Sequence, residues 1–339
     1  MKSNFRVLGA GVWGLVFSKY LSDLGHNVEV FCRNIHLSNK NLNDIDLSNL
    51  SNLEINNLDE LERYKSSDAI NIIATNSKGF YPLLKKYQNY FSGINKLVSL
   101  TKGIDHESGR LFHEVITEMF GVDMKYGLIA GPSFAKDLFN KKKINVSFAS
   151  KDEELTDFMV KSTKSNHFEM ISTTHIYHIE IAGIIKNIAA ILCGMSDNFF
   201  GKGVHTNSII KKACDETWEM SYDQLNALRF EHNNFKNIDD YLSSKREKIM
   251  TSPGFIGDMI LTCKQDQSRN YQFGYSISKS DISAEKAKHA IGTVEGYDCC
   301  ISLVERSHLQ QGDLTNLLYK LIKCKSMERK KLLKAFLQA

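Results

Sequence analysis

The chain opens by alternating short apolar runs with helical patterns. Phe5-Arg6-Val7-Leu8 predicts a strand, and Val12–Leu24 predicts a helix stopped by Gly25. Val28-Glu29-Val30-Phe31-Cys32 predicts the second strand, and Ala69–Ala74, Lys96–Leu100 and Tyr126–Ala130 predict three more. Strands that alternate with helices predict a parallel sheet covered on both faces. Residues 36–60 are rich in Asn, Ser and Leu and hold no Gly or Pro. They read as an irregular excursion with a short strand near Leu53-Glu54-Ile55. From about residue 178 the strand signals fade and helical periodicity runs to a basic, helical tail, Lys325–Lys334. The expected organisation is an α/β domain over 1–178, built on a doubly wound sheet, and an all-helical domain over 179–339. A length of 339 residues suits two domains.

Composition narrows the function classes. The net charge is +4, and the basic residues are scattered, so no nucleic-acid partner is expected. Lys141-Lys142-Lys143 reads as a solvated loop or helix end. Seven cysteines with no CxxC pair give neither a disulfide frame nor a zinc spacing, so no metal is expected and the thiols suit a reducing, cytoplasmic setting. Adjacent Cys299-Cys300 reads as two small buried residues near a helix end, with a redox role as the alternative. Met1-Lys2-Ser3-Asn4 runs straight into the first strand without a signal-peptide pattern. The most apolar segment, Ile179–Met195, carries Glu180 and Lys186, so no transmembrane segment is expected.

The chemistry begins at Gly9-Ala10-Gly11-Val12-Trp13-Gly14, a GxGxxG string between a strand and a helix. Gly9 permits the tight turn, Gly11 lets the backbone approach a pyrophosphate, and Gly14 allows close helix–strand packing. The helix N-terminus then offers N–H groups and a positive dipole end to phosphates. An NAD-selective site usually ends its second strand with an acid for the ribose hydroxyls. Here that strand ends Phe31-Cys32-Arg33, and Glu29 lies inside it. Arg33 either faces a 2′-phosphate, which favours NADP or at least allows it beside NAD, or is a solvated arginine.

The segment Glu180–Met195 predicts a helix with one apolar stripe (Ile181, Ile184, Ile185, Ile188, Leu192, Met195) and one face of small residues around Lys186. Lys186 either snorkels to water or is partly desolvated. Burial lowers a lysine's pKa, and such a group can pass a proton to a carbonyl oxygen as hydride arrives. Lys102 follows the strand ending at Leu100, on the rim where open α/β sheets bind ligands. Gly131-Pro132-Ser133 follows the Tyr126–Ala130 strand onto that rim. Asp258 is a candidate acceptor for a substrate hydroxyl or for the Lys186 ammonium. Ser268-Arg269-Asn270 reads either as a surface turn or as a phosphate clamp, since Arg grips phosphate through paired hydrogen bonds.

Taken together, these blocks resemble the bacterial NAD(P)-dependent sn-glycerol-3-phosphate dehydrogenase family. The match is carried, in order, by Gly9–Gly14, Thr101-Lys102-Gly103, Ala130–Lys136, Ile184-Ile185-Lys186-Asn187, Gly257–Cys263, Ser268-Arg269-Asn270 and Val294-Glu295-Gly296. The resemblance implies an N-terminal Rossmann-type domain, a helical C-terminal domain and reversible reduction of dihydroxyacetone phosphate to sn-glycerol 3-phosphate for glycerophospholipid synthesis. It implies Lys186 as proton donor and acceptor, with Lys102 and Asp258 beside it. Gly131, Ser133, Asp258, Ser268, Arg269 and Asn270 match substrate-binding positions, and Val12, Trp13, Arg33, Lys102, Ala135, Arg269, Thr293 and Glu295 match cofactor-lining ones. A homodimer is allowed.

The departures are specific. Val12 replaces a small polar residue, and Thr75-Asn76-Ser77 replaces Val-Pro-Ser. Asp215 stands at a usual arginine, and Tyr222–Ser252 is longer than usual. Two other readings are open: a related two-domain 3-hydroxyacid or ketopantoate-type reductase, and a non-catalytic dinucleotide-binding sensor.

Overall fold

The structure is a computed structural model that describes residues 2–34, 53–64, 68–232, 245–279 and 282–338. The chain divides into two units. The first holds Met1–Lys102 and Phe112–Ile176, and the second holds Gly103–Leu111 and Tyr177–Ala339. The short stretch Gly103–Leu111 thus belongs with the helical unit, although it lies early in the chain.

The first unit is built on an eight-stranded sheet: β1 (Asn4–Leu8), β2 (Asn27–Cys32), β3 (Glu54–Asn57), β4 (Ile70–Ile73), β5 (Lys96–Ser99), β6 (Lys125–Ala130), β7 (Ile144–Ser150) and β8 (Phe168–Thr173). The spatial order is β3-β2-β1-β4-β5-β6-β7-β8. The five expected strands are present, and β1 to β6 are parallel. Beyond β6 the sheet gains two strands not predicted from the sequence, with β7 antiparallel to β6 and β8 parallel to β7. Residues 36–52 of the expected irregular excursion lie outside the described residues. Within 53–60, the chain is more regular than expected, with β3 and a 3-10 helix, Leu58–Tyr64.

The inner strands read as near-continuous apolar runs because both faces are covered. All four residues of β4 are buried. Phe5, Val7, Phe17, Val30, Ile72, Val98, Ile129, Val146 and Phe148 share one core cluster, and each fully buried side chain of this kind stabilises by about 1.5–3 kcal/mol. Three polar residues interrupt the pattern and are satisfied together. Arg6 pairs with Glu29 of the neighbouring strand at 2.7 Å and also donates to the Tyr90 hydroxyl, which in turn donates to Asn71. Glu29 is therefore committed to the sheet, not to a ribose.

The sheet turns back on its own order at β1, whose neighbours β2 and β4 lead in opposite directions. Ligands of open α/β sheets bind outside the carboxyl ends of strands at such a switch point. Between β1 and β2 runs α1 (Val12–Asp23); α2 (Ser77–Lys86) and α3 (Gln88–Phe91) lie between β4 and β5, α4 (Phe112–Phe120) precedes β6, α5 (Ala135–Phe139) follows it, and α6 (Glu153–Ser162) lies between β7 and β8.

The second unit is helical, as the periodicity predicted. Its centre is α7 (Ile176–Phe200), longer at both ends than the expected Glu180–Met195 segment. It has an 18-residue window of mean hydropathy 1.6, long and apolar enough by composition to cross a membrane, but that window is 100% buried within the protein. It is a core helix. The small face is buried as fully as the apolar stripe, because neighbouring backbones press on it. A Cβ at Gly274 would stand 1.9 Å from the Ile191 carbonyl oxygen, and one at Gly194 would stand 2.1 Å from that of Tyr271. All seven cysteines are free thiols, and Cys299 and Cys300 are both buried.

Candidate active site

At the switch point, Gly9 adopts φ +126°, and a Cβ there would sit 2.5 Å from the carbonyl oxygen of Ala74 at the end of β4. Its N–H donates to Phe31 O at 2.9 Å. At Gly14 a Cβ would press to 2.3 Å from Gly9 O. Both glycines are needed for packing. Gly11 differs, since a Cβ there would meet nothing within 4 Å. Gly11 is also the N-cap of α1, whose first turn has no side-chain cap and no acid. Uncapped N–H groups beside open space are what a pyrophosphate requires, so the turn fits a dinucleotide. Arg33, just past β2, is exposed.

The carboxyl ends of β4, β5 and β6 build the rest of this rim. Thr101 Oγ1 donates to Thr75 O at 3.0 Å, and Leu100 N donates to Ile73 O at 2.8 Å. These bonds fix the stretch that presents half-buried Lys102. The departure at Thr75-Asn76-Ser77 is structurally sound, because Asn76 caps α2 by accepting from Gly79 N at 2.9 Å. After β6, Trp13 Nε1 donates to Ser133 O at 2.8 Å, and Ser133 Oγ donates to Gly131 O at 3.2 Å. Trp13 and Ser133 are thus brought together, and Ala135 opens α5 (Ala135–Phe139) next to them.

In the helical unit α8 (Thr206–His232) follows α7, and a π-helical turn, Pro253–Gly257, leads into α9 (Asp258–Lys264). Single π turns recur at functional sites. Asp258 and Thr262 lie one helical turn apart on α9, so both reach Lys186 of α7. Lys186 Nζ donates to Asp258 Oδ1 at 2.7 Å and to Thr262 Oγ1 at 3.3 Å. The two charged side chains are 10% and 3% exposed. Lys186 is therefore desolvated and paired, and the snorkelling alternative is set aside. Asp258 accepts from the ammonium, one of its two expected roles.

The Ser-Arg-Asn string opens α10 (Arg269–Lys279). Arg269 is exposed, whereas Ser268 and Asn270 are buried. Asn270 does not point to solvent as a simple clamp residue would. Its Nδ2 donates to Asn187 Oδ1 at 2.9 Å, and its Oδ1 accepts from Gly296 N at 2.9 Å. Gly296 lies in α12 (Glu295–Arg306), which follows α11 (Ala284–Ile291) and half-buried Thr293. Asn270 thus ties α7, α10 and α12 together. Sequence reasoning left Asn187 and Thr262 out of the site. Their signal was spacing, with Asn187 beside Lys186 and Thr262 four residues after Asp258. A separate hollow of about 530 Å³ in this unit, lined by Asp197, Lys202, Tyr271 and Tyr275 among others, contains none of the expected site residues.

Comparison with known proteins matches residues 4–156 to the N-terminal part, and residues 175–332 to the C-terminal part, of NAD-dependent glycerol-3-phosphate dehydrogenase. A glycerol-3-phosphate dehydrogenase [NAD(P)+] of Halorhodospira halophila is 28% identical over 335 residues, covering 95% of this chain and 93% of that protein. The corresponding protein of Francisella philomiragia is 26% identical over 322 residues, covering 93% and 90%. In fold, the chain is similar to the crystal structure of glycerol-3-phosphate dehydrogenase from Coxiella burnetii, with a TM-score of 0.78 at 21% identity over 98% of each chain. With both units matched in order along nearly the whole length, the chain belongs to the NAD-dependent glycerol-3-phosphate dehydrogenase family.

Proposed function

We propose that this protein reduces dihydroxyacetone phosphate to sn-glycerol 3-phosphate, reversibly, with Lys186 as the proton donor. The observation that carries the reading is the buried Lys186–Asp258 pair with Thr262 at its side. Taking two charges out of water is costly, and a buried pair is weak evidence for stability alone. A lysine held at such cost on a largely apolar core helix, paired with a carboxylate from another helix, fits a chemical role better than a structural one.

NAD(P)H, when bound at the Gly9–Gly14 turn, supplies the hydride to the carbonyl carbon. The residues of the chain do the rest. Val12, Trp13, Arg33, Ala135, Arg269, Thr293 and Glu295 line the cofactor in this reading. Lys102 and Lys186 polarise the carbonyl oxygen, where preorganised positive charge favours the developing alkoxide. The Lys186 ammonium gives its proton to that oxygen and is reprotonated from water. In reverse, the neutral amine takes the proton from the carbinol. Asp258 and Thr262 hold the ammonium in place through both directions. Arg269 grips the phosphate, with Ser268, Gly131 and Ser133 completing the substrate set. Asn270, given its partners, positions the Arg269 stretch against the Lys186 helix and does not serve only as a ligand.

The seven free thiols suit the cytoplasmic setting that goes with this reading, and a homodimer is compatible with it. The deciding measurement is reduced-cofactor oxidation, followed by absorbance, with dihydroxyacetone phosphate and with NADH or NADPH in turn. Turnover that requires the phosphate ester supports the proposal. No turnover with either cofactor ends it.

A further inference from the structure

His106, Glu295 and Cys299 present ligand atoms that all lie within 4.8 Å of one another. They come from two parts of the helical unit, the Gly103–Leu111 stretch and the first turns of α12. Glu295 and Cys299 are four residues apart, so they share one face of that helix. His106 is brought to them by its own loop. Asp105 O accepts from Gly109 N at 2.9 Å, and Asp105 Oδ2 accepts from Ser108 N at 2.8 Å. Gly109 lies so close to the end of α12 that a Cβ there would stand 2.5 Å from Ser307 N. The loop is therefore locked onto the helix that carries the other two groups.

The three groups are also oriented. His106 Nδ1 lies 2.7 Å from Ser302 Oγ, one turn beyond Cys299 on the same helix. A hydrogen bond at Nδ1 is the usual way a ligating imidazole is aimed through Nε2. Burial and the neighbouring Glu295 and Asp298 carboxylates push the Cys299 thiol well above its ordinary pKa, opposed by a hydrogen bond from the backbone N–H of Ile104, so a bound metal must itself displace the proton. Cys300, one residue along, instead donates to Thr315 O at 3.5 Å. Cys299 is buried, while His106 and Glu295 are half-buried, which leaves a path from solvent.

We infer that His106, Glu295 and Cys299 form a binding site for a single divalent cation of the zinc class. A thiolate, an imidazole and a carboxylate are the ligand types of zinc, and the sulfur disfavours magnesium and calcium. Three protein ligands leave a fourth position for water. Bonds of about 2.0–2.3 Å require the trio to close by under about an ångström. Binding replaces the thiol proton of Cys299, which passes to solvent, by a metal–sulfur bond. The linear spacing of the ligands hid the site, since His106 is far from the other two in the chain. Among the residues proposed above to line the cofactor is Glu295. Resting on that reading, the bound cation withdraws Glu295 from the cofactor, so zinc inhibits in competition with NAD(P).

Cobalt titration of the full chain, without cofactor, tests the site directly. One equivalent is expected to raise the thiolate-to-cobalt charge-transfer absorption in the near ultraviolet, and zinc is expected to abolish it. C299A, which keeps the other six cysteines, should lose the band while retaining normal turnover in the absence of metal. H106A should weaken binding, and S302A, acting through His106, should weaken it by roughly tenfold to a hundredfold. No cobalt band in the wild type, or the same band in folded C299A and H106A, would overturn the site. In steady-state assays zinc should raise the KM for NAD(P)H in the wild type and not in C299A. A cobalt band that depends on Cys299 together with an unmoved KM would leave the site standing and remove the cofactor role of Glu295.

Discussion

Asn270 donates to Asn187 across 2.9 Å, and each is the chain neighbour of a cationic residue. Asn187 follows Lys186 and Asn270 follows Arg269, so a single side-chain bond sets the two cationic positions on one seam between α7 and α10. The same amide accepts from Gly296 N. Asn270→Ala removes both bonds and leaves buried groups unsatisfied, at a cost of about 1–3 kcal/mol each. The expected result is a lower melting temperature together with a fall in kcat/KM for dihydroxyacetone phosphate, read from thermal melts and steady-state kinetics. A variant with unchanged kcat/KM would reduce Asn270 to a packing residue.

Lys186→Ala should lower kcat by roughly 10²–10⁴-fold, the usual contribution of a positioned acid or base. Cofactor affinity, measured by fluorescence titration, should stay nearly unchanged. Asp258→Ala strands a buried ammonium and should cost about 3–5 kcal/mol of stability in denaturant melts. The double variant K186A/D258A should recover part of that loss, because no unpaired charge is left behind.

The exposed guanidinium of Arg269 tests the phosphate clamp. Losing a hydrogen bond to a charged group costs about 1.5–3 kcal/mol, so Arg269→Ala should raise the KM for dihydroxyacetone phosphate roughly tenfold to a hundredfold. Phosphate-free dihydroxyacetone should be a poor substrate for the parent and no worse for the variant. Equal use of both substrates by the parent would remove the clamp.

Two glycines of one turn should separate folding from cofactor binding. Gly9→Ala meets the Ala74 carbonyl at 2.5 Å from a φ of +126° and should destabilise the fold by about 1–3 kcal/mol. Gly11→Ala meets no protein atom within 4 Å, so its melting temperature should hold. Its methyl group occupies the approach of the pyrophosphate, and the KM for NAD(P)H should rise about tenfold or more.

Much of this was legible in the chain. The runs of β1, β2, β4, β5 and β6 are mostly apolar because neighbours cover both faces, with Arg6, Glu29 and Asn71 among the interruptions. The turn at Gly9–Gly14 followed from residue type and spacing, whereas the burial of Lys186 and its pairing with Asp258 were each one of two open readings, because helical spacing does not report which partner covers a small face. Strand β8 gave little signal, since it buries only Phe168 and Met170 and leaves Ile171 42% exposed. Strand β7 alternates through Ile144, Val146 and Phe148, yet nothing local says that it runs against β6. Asn270 looked like a ligand because its two partners lie 83 and 26 residues away, a distance that no periodicity reports.

Glu216 predicts a pH dependence of stability. Its carboxylate is buried under the N-terminus of α13 (Asp313–Lys323) and accepts from Leu314 N at 2.7 Å and Thr315 N at 3.2 Å. Burial pushes its pKa above the ordinary carboxylate value, and these bonds only partly oppose the shift. A carboxylate raised in the fold favours the native state while protonated. That contribution is full below the ordinary carboxylate pKa and is lost as pH rises through the raised value. Urea melts across pH 4–8, a range spanning roughly the carboxylate region and neutrality, should show the wild type gaining on Glu216→Gln as pH falls. A constant gap between the two would mean that Glu216 does not titrate differently on folding.

The 25 residues of α7 have a second consequence, for biogenesis. A segment this greasy, emerging in mid-chain, resembles a stop-transfer sequence until its own unit wraps it. Of the helices that cover it, α8 follows at once but α9, α10 and α12 are synthesised later, so the cover is completed only some 60 residues or more after α7 is made. The late completion of this cover follows from the order of the elements, and it falls on the same helix that holds the buried Lys186 ammonium.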